Sequence, residues 1–221
     1  MSQGRFIVLE GLDGAGTSTQ AEEVSQYLRA IGFPVATTRE PSDGLFGKAV
    51  RRAIEGDVKL PAELLSLGFA ADRLSHMSEP GGITELLDRG TWVICDRYVL
   101  SSLAYQASQG VDLDWLVDIN KYAPDPDATV FVDTSVSVCL RRIAARDNNK
   151  DDLFHRRAAL YEVRKNYFRA LDSRRFIGRL VTVNGNESIN GVRTEILNNL
   201  ADIFHDDLGL FVSSHSSMSQ G

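Results

Sequence analysis

The chain has 221 residues, 43% of them hydrophobic and 24% charged, with a formal net charge of −6. That is the composition of one soluble globular domain rather than of a disordered or fibrous chain. No apolar run approaches the ~18–20 residues of a membrane span, and an acidic balance argues against a long nucleic-acid partner, which needs a basic face.

The first residues, MSQGRFIVLEG, hold an apolar run too short for a signal peptide, so a cytoplasmic protein is expected. Within that run, RFIVLE (5–10) is rich in branched side chains and predicts a buried strand. GLDGAGTS (11–18) follows. After it, Ala21, Val24, Tyr27 and Leu28 recur at helical spacing over 19–30. A glycine-rich loop between strand and helix is the setting of a phosphate site: backbone N–H groups and the helix N-terminus face an anion, and glycine lets the backbone approach it.

PVATTRE (34–40) predicts the second strand. Helices are expected over 45–55 and 62–89, the latter kinked or divided by PGG at 80–82. TWVICD (91–96) is the third strand, with helices after it over 99–108 and 112–121. ATVFVD (128–133) is the fourth, with helices over 135–146 and 155–172 separated by DNNKDD. RLVTVNG (179–185) is the fifth, and a last helix covers 188–206. Cys95 and Cys139 fall in apolar runs without CxxC spacing and read as small buried hydrophobes of a reducing compartment.

Strands alternating with helices predict an α/β fold, a five-stranded parallel sheet covered by helices on both faces. One domain spans 1–211, with a short lid at about 147–155, and the Ser-rich tail 212–221 is expected to be disordered. Ligands of such sheets sit beyond the carboxyl ends of the strands. Asp13, Arg39, Glu40, Asp96 and Arg97 all follow strand ends.

Each motif also has a plainer reading. Ser18 and Asp96 suit a hydrated Mg²⁺, and the Arg97 fork suits phosphate; an Asp-Arg pair after a strand is as often a cap. Phe69 and Arg73 are four apart on one helix face, placed to stack on a base and hydrogen-bond it; a core phenylalanine beside a solvated arginine has the same spacing. RRIAARDNNKDDLFHRR (141–157) suits a lid over phosphates; it also suits a solvated loop. The loop itself departs from the strict phosphate motif, because Thr17 stands where a lysine is usual, and a glycine turn would read similarly.

Taken in order, FIVLEGLDGAGTSTQ, TTREPSDGLFGKAVRR, LLSLGFAADRLSH, VICDRYVLSSLAYQ, PDATVFVDTSVSVCLRRIAARD and VRKNYF resemble the thymidylate kinases, over roughly residues 5–205. The resemblance implies a P-loop fold, ATP and Mg²⁺ as co-substrate and metal, and phosphorylation of dTMP to dTDP. It implies that Gly11, Leu12, Asp13, Gly14, Ala15, Gly16, Thr17, Ser18 and Thr19 cradle the ATP phosphates, with Arg142 near adenine. Asp13, Arg39 and Arg97 would contact the reacting phosphates, Phe69 and Arg73 the thymine, and Tyr105 and Gln106 the deoxyribose. A homodimer is the family's usual assembly, and neither a polynucleotide nor a membrane is an implied partner.

Two positions depart from that pattern. Thr17 lacks the loop lysine, and Leu153 stands where many members carry a lid arginine. Either the charge comes from Arg142, Arg146, Lys150, Arg156 or Arg157, with Arg146 or Lys150 the favoured substitutes, or the chain binds nucleotide and turns over weakly. A related kinase with another deoxynucleotide acceptor is the remaining alternative.

Overall fold

In a computed structural model, residues 4–147 and 153–208 are described. Five strands, β1 (Phe6–Glu10), β2 (Val35–Arg39), β3 (Trp92–Asp96), β4 (Ala128–Asp133) and β5 (Arg179–Asn184), pair in the order β2-β3-β1-β4-β5. Every pairing is parallel. The expected α/β sheet is therefore present. β1 is buried along its whole length, and β3 and β4 are buried up to their last residue. Strands covered on both faces read as continuous apolar runs, as FIVLE, WVICD and ATVFVD do. The edge strands β2 and β5 are half exposed and correspondingly more polar.

The helices are α1 (Thr17–Ala30), α2 (Leu45–Ile54), α3 (Ala62–Ser78), α4 (Ile83–Asp88), α5 (Val99–Ser108), α6 (Leu113–Ile119), α7 (Val136–Asp147), α8 (Leu153–Asp172) and α9 (Ile189–Ile203). From β1 the chain steps outward to β2, and from β3 it crosses back over β1 to β4. Right-handed crossovers in opposite directions put their helices on opposite faces. α1 packs on α9, while α5 packs on α8. The reversal opens a crevice above β1, at the carboxyl ends of the strands.

Three of the departures from the sequence reading have local reasons. α1 begins at Thr17 rather than at 19, because Gly16 at φ 100° ends the loop and lets the next residue enter the helix. The 62–89 segment is divided rather than kinked: α3 stops at Ser78, and Gly82 opens α4. α6 is one short helix, whose Asp112 accepts a hydrogen bond from the Trp115 N–H at 2.8 Å and so satisfies an otherwise orphaned donor. The expected lid falls mainly on residues 148–152, and the Ser-rich tail on 212–221; both lie outside the described residues.

Candidate active site

The loop after β1 is held by its carbonyls. Arg142 on α7 donates to the Ala15 carbonyl at 2.9 Å and to that of Gly14 at 3.4 Å, and reaches the Gly185 carbonyl at 3.0 Å. Thr134 donates to Ala15 at 3.3 Å, and the Tyr167 hydroxyl lies 2.9 Å from the Gly11 carbonyl oxygen. Gly14 adopts φ 81°, and a Cβ there would come 2.6 Å from the Cys139 carbonyl. Leu12 and Ala15 are buried in the core, so they anchor the loop. Gly16 caps α1 without a side-chain hydrogen bond. The first N–H groups of α1 therefore have no capping side chain, and the helix dipole adds partial positive charge there.

Thr17 is buried, with 4% of its surface exposed. It packs beside Gly11, where a Cβ would meet Thr17 Cγ2 at 3.2 Å. Ser18 and Thr19 are exposed on the next positions of the helix. Ser18 Oγ donates to Asp96 Oδ2 across the ends of α1 and β3. The other carboxylate oxygen, Asp96 Oδ1, is buried without a hydrogen-bond partner among the described residues. A hydroxyl beside an unsatisfied carboxylate oxygen fits a divalent cation held partly through water.

Arg97 follows β3 at φ 71°, a left-handed conformation that few non-glycine residues adopt. It donates to Asp13 Oδ1 at 2.7 Å and to Ser101 Oγ at 3.3 Å, and its guanidinium lies over the Tyr105 ring at 5.2 Å. The Tyr105 hydroxyl in turn accepts from the Asp13 N–H at 2.9 Å. Burial pushes the Tyr105 phenol up and keeps it neutral, against the pull of the neighbouring Arg97. Loop, arginine and tyrosine thus form one closed set of contacts.

Behind them sits a buried polar layer of which sequence reading named only Arg73 and Glu40. Glu10 accepts from the Tyr98 N–H at 2.9 Å, the Ser101 N–H at 3.2 Å and Ser101 Oγ at 2.5 Å. Burial raises its pKa despite those donors. The available signal was a lone acid ending an apolar strand. Arg73 is 1% exposed. It pairs with Glu40 Oε2 at 2.6 Å, donates to Asn120 Oδ1 and to Ser102 Oγ at 3.0 Å, and lies 5.0 Å from the Tyr98 ring centre. It is thus fixed within the wall, not a solvated arginine. His76 bonds Thr38 through Nε2 at 2.7 Å and turns Nδ1 toward Glu40 Oε1 at 3.6 Å. Asp72 accepts from the Ser42 N–H at 2.7 Å and tethers the turn after β2.

One cavity of about 840 Å³ brings together Asp13, Ser18, Arg39, Phe69, Arg73, Asp96, Arg97, Tyr105 and Gln106. Arg39 stands at its exposed rim, paired with Asp43 at 3.3 Å. Phe69 is half buried, and Gln106 is buried with Oε1 unpartnered among the described residues. Arg142 lies outside this cavity, on the far side of the loop. Arg146 is exposed in the last turn of α7, and Lys150 lies outside the described residues.

A family profile described as thymidylate kinase matches residues 9–196. The chain belongs to the thymidylate kinase family. Relatives agree over nearly the whole chain. A protein of Pyrococcus horikoshii named probable thymidylate kinase is 38% identical over 215 residues, covering 94% of this chain and 100% of its own. Proteins of the same name from Methanococcus aeolicus and Thermococcus kodakarensis are 36% and 37% identical, covering 90% and 87% of this chain and 96% and 95% of theirs. The family match includes the loop with Thr17 in it, so the missing lysine does not remove this thymidylate kinase sequence from its family.

Proposed function

We infer that the chain transfers the γ-phosphoryl group of ATP to dTMP, giving dTDP and ADP. The observation that carries this reading is a single cavity with a phosphate-type loop and Arg97 at one end and Phe69 with Arg73 at the other. A nucleoside monophosphate fits that span, with its phosphate at Arg97 and its base at Phe69. Phe69 offers a stacking face, and Arg73, already fixed by Glu40, Asn120 and Ser102, offers its remaining N–H groups without losing side-chain freedom on binding. Tyr105 and Gln106 flank the sugar.

The attacking atom is already a phosphate oxygen, so the protein supplies positioning and charge rather than a base. Arg97 holds the acceptor phosphate, with Asp13 fixing its orientation. The residues from Gly11 to Thr19 cradle the donor phosphates, and Arg142 borders the adenine side. Arg39 reaches the reacting phosphates from the rim. Arg146, exposed in the last turn of α7, is a further cation toward the lid, and Lys150 lies outside the described residues. Ser18 and Asp96 would hold Mg²⁺, which would supply neutralising charge on the donor phosphates. The buried thiols suit a cytoplasmic protein, with Cys139 pushed up to about 11 by burial. Among the described residues, no helix is long and apolar enough to cross a membrane.

The test is ADP release with ATP, Mg²⁺ and a panel of nucleoside monophosphates. dTMP is expected to give the highest kcat/KM, dUMP less, and ribonucleotides least. Preference for another acceptor would move the assignment to a neighbouring kinase, and binding without turnover would make the chain a nucleotide-binding relative.

A further inference from the structure

The loop position that usually supplies a lysine holds Thr17, uncharged and tucked beside Gly11. A side chain leaving this position would run past Gly11, between the ends of β1 and β4. The structure assigns the missing charge to a residue held at the neighbouring end of β4: we propose that Arg164 of α8 is the cation that contacts the donor phosphates in place of the loop lysine. This rests on the reading of the loop as the ATP phosphate site.

Four observations support it. Arg164 is joined to Asp133, the last residue of β4, at 2.7 and 3.0 Å. The preceding residue, Val132, presents its carbonyl 3.0 Å from where a Gly11 Cβ would lie, so this end of β4 abuts the loop. Tyr167, three residues along the same face of α8, places its hydroxyl 2.9 Å from the Gly11 carbonyl oxygen. Arg164 therefore stands one helical turn from a direct loop contact. Finally, Arg164 Nε is buried without a hydrogen-bond partner among the described residues, while its Nη2 donates to a carboxylate. A buried cationic N–H without an acceptor is unfavourable until an anion arrives.

Two arginines that do contact the loop are already committed. Arg142 spends its donors on three backbone carbonyls, and Arg97 is bound to Asp13 at the acceptor end. Arg164 is stacked on Phe168 at 4.7 Å and about one-third exposed. Asp133 holds it when the loop is empty, and a polyphosphate offers the same planar fork a stronger anion. The charge thus belongs to α8, fixed at the end of β4.

The experiment compares wild type, R164Q, T17K and the T17K/R164Q double variant in steady-state turnover with ATP, Mg²⁺ and dTMP. Thermal melts check folding. R164Q should lower kcat by about 100-fold or more, the scale of removing one preorganised charge or donor at a reacting centre, while KM for dTMP changes by no more than about 3-fold. T17K alone sets the reference against which the double variant is read. In the double variant, a lysine at the usual position should recover at least about 10-fold of the lost kcat, which a purely structural role for Arg164 does not allow.

R164Q with kcat within about 3-fold of wild type overturns the proposal. So does a folded R164Q whose loss is untouched by T17K. Wild-type protein, followed by ¹⁵N NMR of arginine Nε–H groups, gives a readout that needs no stable variant for the binding step. The Arg164 signal should move on adding a non-hydrolysable ATP analogue and stay in place with dTMP alone; no movement with the analogue also overturns the proposal. Absence of wild-type turnover would count against the kinase reading itself, whereas wild-type turnover with an intact R164Q counts only against Arg164.

Discussion

At the residue scale, the acceptor end depends on how Arg73 is held. It is almost fully buried and faces Glu40, and it also donates to Asn120 and Ser102. Removing one partner of such a pair leaves the other charge buried and uncompensated. Arg73→Ala should therefore lower the unfolding free energy by about 3–5 kcal/mol, measured by urea denaturation. A loss below about 1 kcal/mol would mean that Glu40 reaches water, as a surface ion pair does. FAADR placed Phe69 and Arg73 on one helical face, and the cavity holds both. The partners of Arg73 were not legible: Asn120 lies 47 residues further on, and nothing local marks it as an arginine acceptor. Glu10 was more accessible to reasoning, because an acid that ends a continuous apolar strand must find donors.

At the element scale, the junction of loop, α1 and α7 is the tightest part of the phosphate end. Gly14 combines φ 81° with a carbonyl 2.6 Å from any added Cβ, so backbone strain and collision act together. Gly14→Ala should raise KM for ATP by about 10-fold or more, while KM for dTMP changes little. The size follows from losing roughly 1.4 kcal/mol of donor binding. An equal rise in both constants would show that the loop also shapes the acceptor end. The elements were legible where one periodicity ruled a long segment: five apolar runs became the five strands, and helical spacing located the main helices. Boundaries were lost where a single glycine decided them. Gly16 brings the helix start back to Thr17, and Gly82 opens α4 as a separate helix after the break, though the segment carried helical residues on both sides of it.

At the scale of the whole molecule, one face of α3 lacks a partner among the described residues. Leu64, Leu67 and Leu74 are 50%, 46% and 39% exposed and fall on one helical stripe. A second copy of the chain, related by a two-fold axis, would cover the stripe with itself. We predict a homodimer by sedimentation, and a monomer for Leu67→Glu, which sets charge against charge at the stripe. A monomeric wild type, or a dimer unaffected by that substitution, would move the interface elsewhere. Only the apolar run LLSLGFAA hinted at this face, and a buried helix would have read the same; exposure, not pattern, distinguishes them.

Arg97 stands at φ 71°, bent into a backbone shape that suits glycine. In the proposed function its side chain is also the fork for the acceptor phosphate. Glycine would relax the chain there and forfeit the grip. On that reading, heat resistance and catalysis make opposite demands on position 97, and Arg97→Gly should gain the first while losing the second.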